Sequence, residues 1–584
     1  MPECSNRASR ILPLPRSEGT RTIYYQLYAE LSQWKERATE VKTTCAPLVD
    51  LRDEMTSNLV IRGGLVADGL GAELVKADVH IVDDVIAAVG PAEIKTTSDI
   101  LDASGLVVAP GFVDTHTHSD ALPFLGSEFD DLRLGSLRQG VTTEIAGNCG
   151  FSLFPTPPGE AGVPVTRHLE SLFGPGVRTA ASITDYATAL RQAPMAANLV
   201  SLVGQGTLRA AVVGFDRCPA TAEELSEMTK LADDAMAAGA AGLSTGLLYP
   251  PGSYAPTEEI IALARIAARH SRPYVSHIRN EMDGVVDALK EALAIGATSG
   301  AAVHISHLKA GGRENHGKLP ELLAILEEAR YKGQDVTADI YPYTAGSTVL
   351  HALLPPWATE GGTTNMLERV RLPAVRERIR SEFAKPPESW QNFLAGGSWD
   401  DVTIASSPAH PEVEGTTVTA LAARSGIDEI DAVCNLLIDE MGAVTVIVEM
   451  AAFDDMETCL AWPHTTVGSD GIPIPGKPHP RWAGSFARVL GRHVRDRHLI
   501  GLVEGIRKMT SLAAQRFALE GRGQLRPGAV GDIVVFDADQ VVDNATYSQP
   551  LAPPSHVRHV VVNGVPVIRD TQDTGARPGR FLSV

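Results

Sequence analysis

The chain has 584 residues, 44% apolar and 21% charged, with a formal net charge of −20. A chain of this length buries a large core and divides into more than one folding unit, and its composition is ordinary for a soluble globular protein. The acidic balance argues against nucleic acid or an anionic membrane as the main partner, yet leaves room for a basic pocket that takes a small anion. The cysteines (Cys4, Cys45, Cys149, Cys218, Cys434 and Cys459) show no CxxC spacing and do not suggest a disulfide scaffold. No apolar run approaches the roughly 20 residues of a spanning helix, and the N-terminus lacks the apolar core of a secretory signal. These features predict a cytoplasmic protein.

Residues 1–54 differ in texture from the rest of the chain, with scattered Arg, Pro and Ser and a short amphipathic stretch from Tyr24 to Val41. Two readings stand: a helix that docks on the body, or an overextended start to a protein whose folded part begins near Met55. A shortened chain starting at Met55 is expected to fold and work unchanged. From Leu59 to Ala109 short apolar runs alternate with turn residues and predict strands. The same texture returns in Asp532–Phe536 and Val557–Ile568, where Asn563-Gly564 signals a hairpin. The two ends, 55–109 and 520–584, are therefore expected to form one small β-rich domain.

Between them, over 110–519, strand and helix patterns alternate, as in a parallel α/β fold. Eight strand candidates stand out: Phe112–His118, Thr142–Asn148, Asn198–Gly204, Ala241–Gly246, Tyr274–Ile278, Val303–Leu308, Asp335–Tyr341 and Thr465–Ser469. Helical stretches such as Ala222–Ala238, Thr257–His270 and Asp283–Ile295 fall between them. Eight such units predict a (β/α)8 barrel of the TIM type, with its active site at the C-terminal strand ends. The gap between strands seven and eight is far longer than an ordinary connection. It predicts an inserted subdomain near 350–460.

Chemistry-bearing residues gather at the predicted strand tips. They are His116 and His118, then Cys149, His277, His307 with Lys309, Tyr341, and Asp470. On a strand, His116 and His118 would share a face. Imidazole, thiolate and carboxylate around one cavity are the donors a metal-activated hydrolase needs. His304, three residues before His307, has the opposite parity and is expected to face the helix layer as a structural residue.

Several motifs carry a resemblance. They are Pro110-Gly111-Phe112-Val113-Asp114-Thr115-His116-Thr117-His118, Gly147-Asn148-Cys149-Gly150, Ser276-His277-Ile278-Arg279, Ser306-His307-Leu308-Lys309, Tyr341-Pro342-Tyr343 and Gly468-Ser469-Asp470-Gly471. Across about residues 58–584 the chain resembles the amidohydrolase superfamily, and within it the D-aminoacylase (N-acyl-D-amino acid deacylase) group. Most binuclear members bridge their metals with a carboxylated lysine after strand four. Here strand four ends Leu243-Ser244-Thr245-Gly246, and the resemblance assigns the bridging role to Cys149. It implies a tight zinc site from Cys149, His277 and His307, and a second, weaker one from His116, His118 and Asp470. It also implies Asp470 as general base.

The implied substrate is a small N-acyl-D-amino acid, cleaved to a carboxylic acid and a free D-amino acid. A free α-carboxylate needs cations and donors, and the resemblance carries that role to Lys309, Arg481, Tyr341, Ser347 and Tyr249. The stretch Val349–Pro355 holds no arginine for a second carboxylate, so neutral or apolar side chains are expected. The rival readings are another amidohydrolase acting on a cyclic amide or dipeptide, and a non-enzymatic scaffold of the same fold. The missing strand-four lysine argues against the cyclic-amide branch.

Overall fold

A computed structural model describes residues 59–91, 98–384 and 390–584; the N-terminal stretch 1–54 lies outside the described residues. Strands from both chain ends meet in one sheet. Val107–Pro110 pairs antiparallel with Ile533–Phe536, so that Ile533 faces Pro110 and Phe536 faces Val107. Leu59–Val66, Val75–Val82 and Val85–Val89 extend that sheet on one side. Val557–Val562 and Val565–Arg569 extend it on the other, joined through Asn563 (φ 49°) and Gly564 (φ 79°). Two successive residues of positive φ are what a tight right-twisted hairpin requires.

Parallel strands come next, each short and buried throughout. They are β1 (Phe112–Asp114), β2 (Val141–Ala146), β3 (Asn198–Ser201, continued by Val203–Gly204), β4 (Leu243–Gly246), β5 (Tyr274–His277), β6 (Val303–Ile305), β7 (Val336–Ile340) and β8 (Thr465–Val467). Each pairs in parallel with the next from β1 to β3, and from the continuation of β3 to β8. At the break in β3 the main chain stays bonded on both sides: Leu202 N–H donates to Ala146 O and Val203 N–H to Gly242 O. Beyond β8, Asp470 N–H donates to His116 O (2.7 Å) and His118 N–H to Gly471 O (2.9 Å).

The strands alternate faces. Phe112, Ala146, Leu199, Leu243, Val303 and Val336 pack towards the helices. Val113, Ile145, Val200, Ala241 and Val275 form a separate core with Ala513, Phe517 and Leu519. Between β4 and β6 run helices Thr257–Arg269 and Val285–Ser299, with Ala222–Ala237 before β4. The last of these carries a capping box, Thr221 and Glu224 bonding reciprocally.

The connection from β7 to β8 holds a three-stranded antiparallel sheet of Ala345–Val349, Thr445–Glu449 and Val402–Ser406, with Thr445–Glu449 central. The helices Gly362–Arg369, Pro373–Phe383, Val418–Ser425 and Glu429–Asp439 accompany it. An apolar core of its own, including Leu353, Ile379, Ile404, Val433 and Val446, holds this segment together. These strands are not among the sequence expectations, although the β-branched run Thr445–Val448 suits one. Among the described residues no helix is long and apolar enough to cross a membrane.

Candidate metal centre and substrate cavity

The parallel strands end earlier than the sequence pattern suggests. β1 stops at Asp114 and β6 at Ile305, so His116, His118 and His307 lie on the turns beyond them. Strand alternation therefore does not align His116 with His118, and the backbone of the turns does it instead. Cys149 (φ 53°), His307 (φ 33°) and Asp470 (φ 50°) all sit in the left-handed region. Non-glycine residues held there are strained, and such strain gathers where a site over-determines the backbone.

These turns bring the candidate donors together. Cys149 Sγ lies 3.7 Å from His277 Nδ1 and 3.6 Å from His307 Nε2, and those two nitrogens are 3.0 Å apart. Beside this trio, Asp470 Oδ1 lies 3.4 Å from His116 Nε2 and 3.3 Å from His118 Nε2. Cys149 Sγ links the two groups, at 3.3 Å from His116 Nε2. All six residues are at least nine-tenths buried. Gly246, at the tip of β4, passes directly under the Cys149 turn: a Cβ there would collide with the Cys149 carbonyl. A side chain such as lysine has no room at the position where it would otherwise bridge.

The donor chemistry fits zinc. Donors bonded at about 2.0–2.3 Å to one tetrahedral ion lie roughly 3.3–3.8 Å apart, close to the spread of the Cys149–His277–His307 trio. Burial alone would raise the Cys149 thiol, but His116, His118 and His277 outweigh it and hold the thiol well below its usual range. The thiolate is the form that binds metal. Burial would also lower His116, yet the charges of Asp339, Cys149 and Asp470 raise it well above 6.5. A cation entering the site takes the place of those protons.

Two carboxylates that the sequence did not disclose complete the arrangement. Glu281 Oε1 lies 2.9 Å from His307 Nδ1 and accepts from Lys309 Nζ at 2.6 Å. Lys309 thus lines the cavity with its counter-ion already attached rather than as a free cation. Burial pushes the Glu281 carboxyl up, but Lys309, His277 and His307 carry it far below its usual range. Spacing held no signal for Glu281, which lies on the turn after β5. Asp339, on β7, bonds His116 Nδ1 at 3.3 Å. A signal for it did exist, since a carboxylate inside an apolar strand is rarely buried without a partner. His304 also departs from expectation. It faces not the helix layer but the inner core, 5.6 Å from the Phe517 ring, and its Nε2 lies 3.0 Å from Asp339. Parity counted back from His307 fails because β6 ends at Ile305 and the left-handed turn intervenes.

A narrow cavity opens beside the donors. Its wall includes Tyr249, Lys309, Tyr341 and Ser347 from the expected substrate set, together with Phe151, Leu172, Phe393, Val448, Met450 and Ile472. The β7–β8 connection supplies Phe393 and the wall from Gly346 to Val349. Tyr249 OH and Thr348 Oγ1 are hydrogen-bonded at 2.9 Å. Arg481 does not line the cavity. It is fully buried behind Tyr341, with its guanidinium 4.6 Å from that ring, and Nη1 is 2.8 Å from Asp470 Oδ2. Nη2 donates to Ser347 O (3.2 Å), while neither Nε nor Nη1 has a well-aligned acceptor among the described residues.

Comparison with known proteins places this geometry. The amidohydrolase family profile matches residues 99–360 and 398–568. A D-aminoacylase of Alcaligenes xylosoxydans xylosoxydans is 37% identical over 531 residues, 91% of this chain and 98% of the relative. An N-acyl-D-glutamate deacylase of the same organism is 38% identical over 528 residues, 90% and 96% of the two chains. Among solved structures, the N-acyl-D-glutamate deacylase of Bordetella bronchiseptica, complexed with zinc and a phosphonate mimic of the tetrahedral intermediate, superposes with a TM-score of 0.76. It is 36% identical, covering 91% of this chain and all of that one.

Proposed function

Because the chain belongs to the amidohydrolase family, we propose that it is a zinc-dependent hydrolase of N-acyl-D-amino acids. The products are a carboxylic acid and a free D-amino acid. The observation that carries this reading is the Cys149–His277–His307 trio, one thiolate and two imidazoles within bonding reach of a single ion, beside a carboxylate-bearing cavity. The eight parallel strands are taken as one closed (β/α)8 barrel, with the β7–β8 connection as its inserted subdomain and 55–109 with 520–584 as the small β domain. A reducing, cytoplasmic location suits a site that depends on the free thiol of Cys149.

Cys149, His277 and His307 would hold the tight zinc, and His116, His118 and Asp470 a second, weaker one. Bound there, zinc supplies a Lewis acid that polarises the amide carbonyl and acidifies water. Asp470 takes the proton of the attacking water and delivers it to the leaving nitrogen, a role that typically contributes roughly 10²–10⁴-fold. Arg481 Nη1, 2.8 Å away, helps to keep that carboxyl ionised against the effect of burial. Ser347, Tyr341 and Tyr249 line the cavity where the substrate α-carboxylate would sit, Lys309 adds a partly offset charge, and Arg481 supports that end from behind Tyr341.

The relatives act on different side chains, and their identities to this chain are nearly equal. The cavity wall separates them: Phe151, Leu172, Phe393, Met450 and Ile472 are apolar, and among the described residues no arginine lines it. A second carboxylate would enter without a partner, at a cost of several kcal/mol of the order quoted for isolated buried charges. Neutral or apolar D-amino acids are the favoured substrates. The test is a panel of N-acetyl D- and L-amino acids, with N-acetyl-D-glutamate and a hydantoin, on zinc-assayed protein. Turnover of an apolar D-substrate above all others is expected; preference for the L-enantiomer, the hydantoin or the glutamate derivative would overturn the reading.

A further inference from the structure

Asp339 is fully buried and, although it does not line the cavity, makes several polar contacts. Its Oδ2 accepts from His304 Nε2 (3.0 Å) and lies 3.3 Å from His116 Nδ1. Its Oδ1 accepts the His307 main-chain N–H at 2.8 Å, and its carbonyl accepts the Leu308 N–H at 2.9 Å. Behind it, Thr337 Oγ1 lies 2.7 Å from His304 Nδ1. One assignment of protons satisfies every bond. Thr337 donates its hydroxyl to His304 Nδ1, and His304 donates Nε2–H to Asp339. His116 then donates Nδ1–H to the same carboxylate, so that Nε2, whose proton an entering cation would displace, faces Cys149 and Asp470.

The reach from β7 to His116 crosses β8. It is possible because the intervening residue is Gly468: a Cβ there would lie 2.6 Å from His116 Cβ and 3.1 Å from Asp339 Oδ1. The same carboxylate also anchors the His307 turn, whose left-handed backbone needs holding. Burial alone would raise the Asp339 carboxyl, but His116 and His304 carry it far below the usual range. His304 is lowered, burial outweighing its carboxylate partner, and so stays neutral as the bonding scheme requires.

We infer that Asp339 and His304 are positioning residues. The Thr337–His304–Asp339 chain holds the His116 ring in one tautomer and orientation, so that Nε2 is the atom offered to the weaker metal site. The inference rests on the zinc reading above. Carboxylates that fix a ligand imidazole in this way are typically worth 10–100-fold in metal affinity. Asparagine at 339 can keep the Oδ1 bond to the His307 main chain but turns an N–H₂ towards two N–H donors, so it should strike the His116 side alone.

The test is zinc affinity measured by chelator competition without substrate, on wild type, Asp339→Asn, His304→Ala, His304→Gln and Gly468→Ala. The cobalt-loaded proteins report, through the charge-transfer band of the Cys149 thiolate, that the first ion is bound at the shared sulfur. Asp339→Asn and Gly468→Ala should loosen the second, weaker ion by 10–100-fold, with the affinity for the first ion unchanged. His304→Ala should do the same to a smaller extent, and His304→Gln, which keeps a donor towards Asp339, should restore most of the loss. If Asp339→Asn leaves the second zinc as tight as in wild type, the inference fails. Equal loosening of both sites, with glutamine at 304 no better than alanine, would show a merely structural role. Wild type taking up a single zinc also overturns it, since His116 then has no ion to face. Wild type binding no zinc at all overturns the proposed function instead.

Discussion

Two groups of buried histidines, a few side chains apart, have opposite electrostatic fates. In the candidate metal centre, His116 and His307 are buried among Cys149, Asp339, Asp470 and Glu281; His307 is raised to about 9, the charge of Glu281 overcoming burial and the nearby Lys309. Outside it, His168 and His351 line a small crevice with Phe215, Pro250 and Met366. There burial wins: His168 is pushed down to about 3, with a further contribution from His351, and His351 to about 4. His351 Nδ1 is buried with no hydrogen-bond partner among the described residues. The two groups are linked through Phe151, which stacks on the His168 ring at 5.1 Å and lines the substrate cavity. Burial is thus common to both groups. Between these two pairs the difference is the cluster of anionic neighbours around His116 and His307.

The largest effect should come from removing the anion shared by both halves of the metal centre. Cys149→Ala leaves the trio with two imidazoles, and zinc content and activity should vanish together, with medium zinc controlled. Full zinc retention at normal rates would make Cys149 a small buried hydrophobe, as Cys434 and Cys459 are in their cores.

Next is Asp470→Asn, which spares the trio. Turnover should fall by roughly 10²–10⁴-fold while tight zinc stays bound. Near-normal turnover of the purified variant would remove Asp470 from the base role.

A smaller loss is expected from Arg481→Met. A charge-assisted carboxylate contact contributes roughly 1.5–3 kcal/mol, or about 10–150-fold in kcat/KM at 1.4 kcal/mol per decade. The corresponding N-acyl amine, with no carboxylate, should be nearly unaffected. Equal losses on both substrates would mean that Arg481, which lies behind the cavity wall, acts only through Asp470.

The smallest effect belongs to the neutral histidines and appears only in acid. The unfolded chain binds a proton at His351 near pH 6.5, the folded chain only near 4. Stability present above pH 6.5 is therefore lost as pH falls between those values, by about 2 kcal/mol at pH 5 for this residue. His351→Asn should remove that part of the slope of stability against pH in denaturant melts while leaving zinc content at its wild-type dependence on pH. An unchanged slope would show that the imidazole ionises freely, and the contrast with the metal centre would collapse.

Much of the site was legible in the chain itself. An apolar run that stops at a polar donor marks a strand tip, and the tips carrying His116, Cys149, His277, His307 and Asp470 do converge. The glycine at strand four was equally informative, since Gly246 leaves no room for a bridging side chain. Asn563-Gly564 forms the hairpin its residue types demand. The strand-parity arguments fared worse. They assumed that β1 and β6 run through their histidines, whereas the strands end at Asp114 and Ile305, and His304 consequently faces the opposite side from that expected.

The sequence by itself determined which donors exist, where along the chain the backbone turns to present them, and the family to which the pattern belongs, because these depend on local residue types and their order. Only the tertiary structure decided which groups touch. His116 and Asp339 are 223 positions apart and meet across a glycine just beyond the end of β8. Glu281 offsets Lys309, and Arg481 faces Asp470 instead of the cavity. Local periodicity carries no record of such contacts: they arise from the stacking of separate strand tips around one centre, where each charge is set by neighbours distant in the chain.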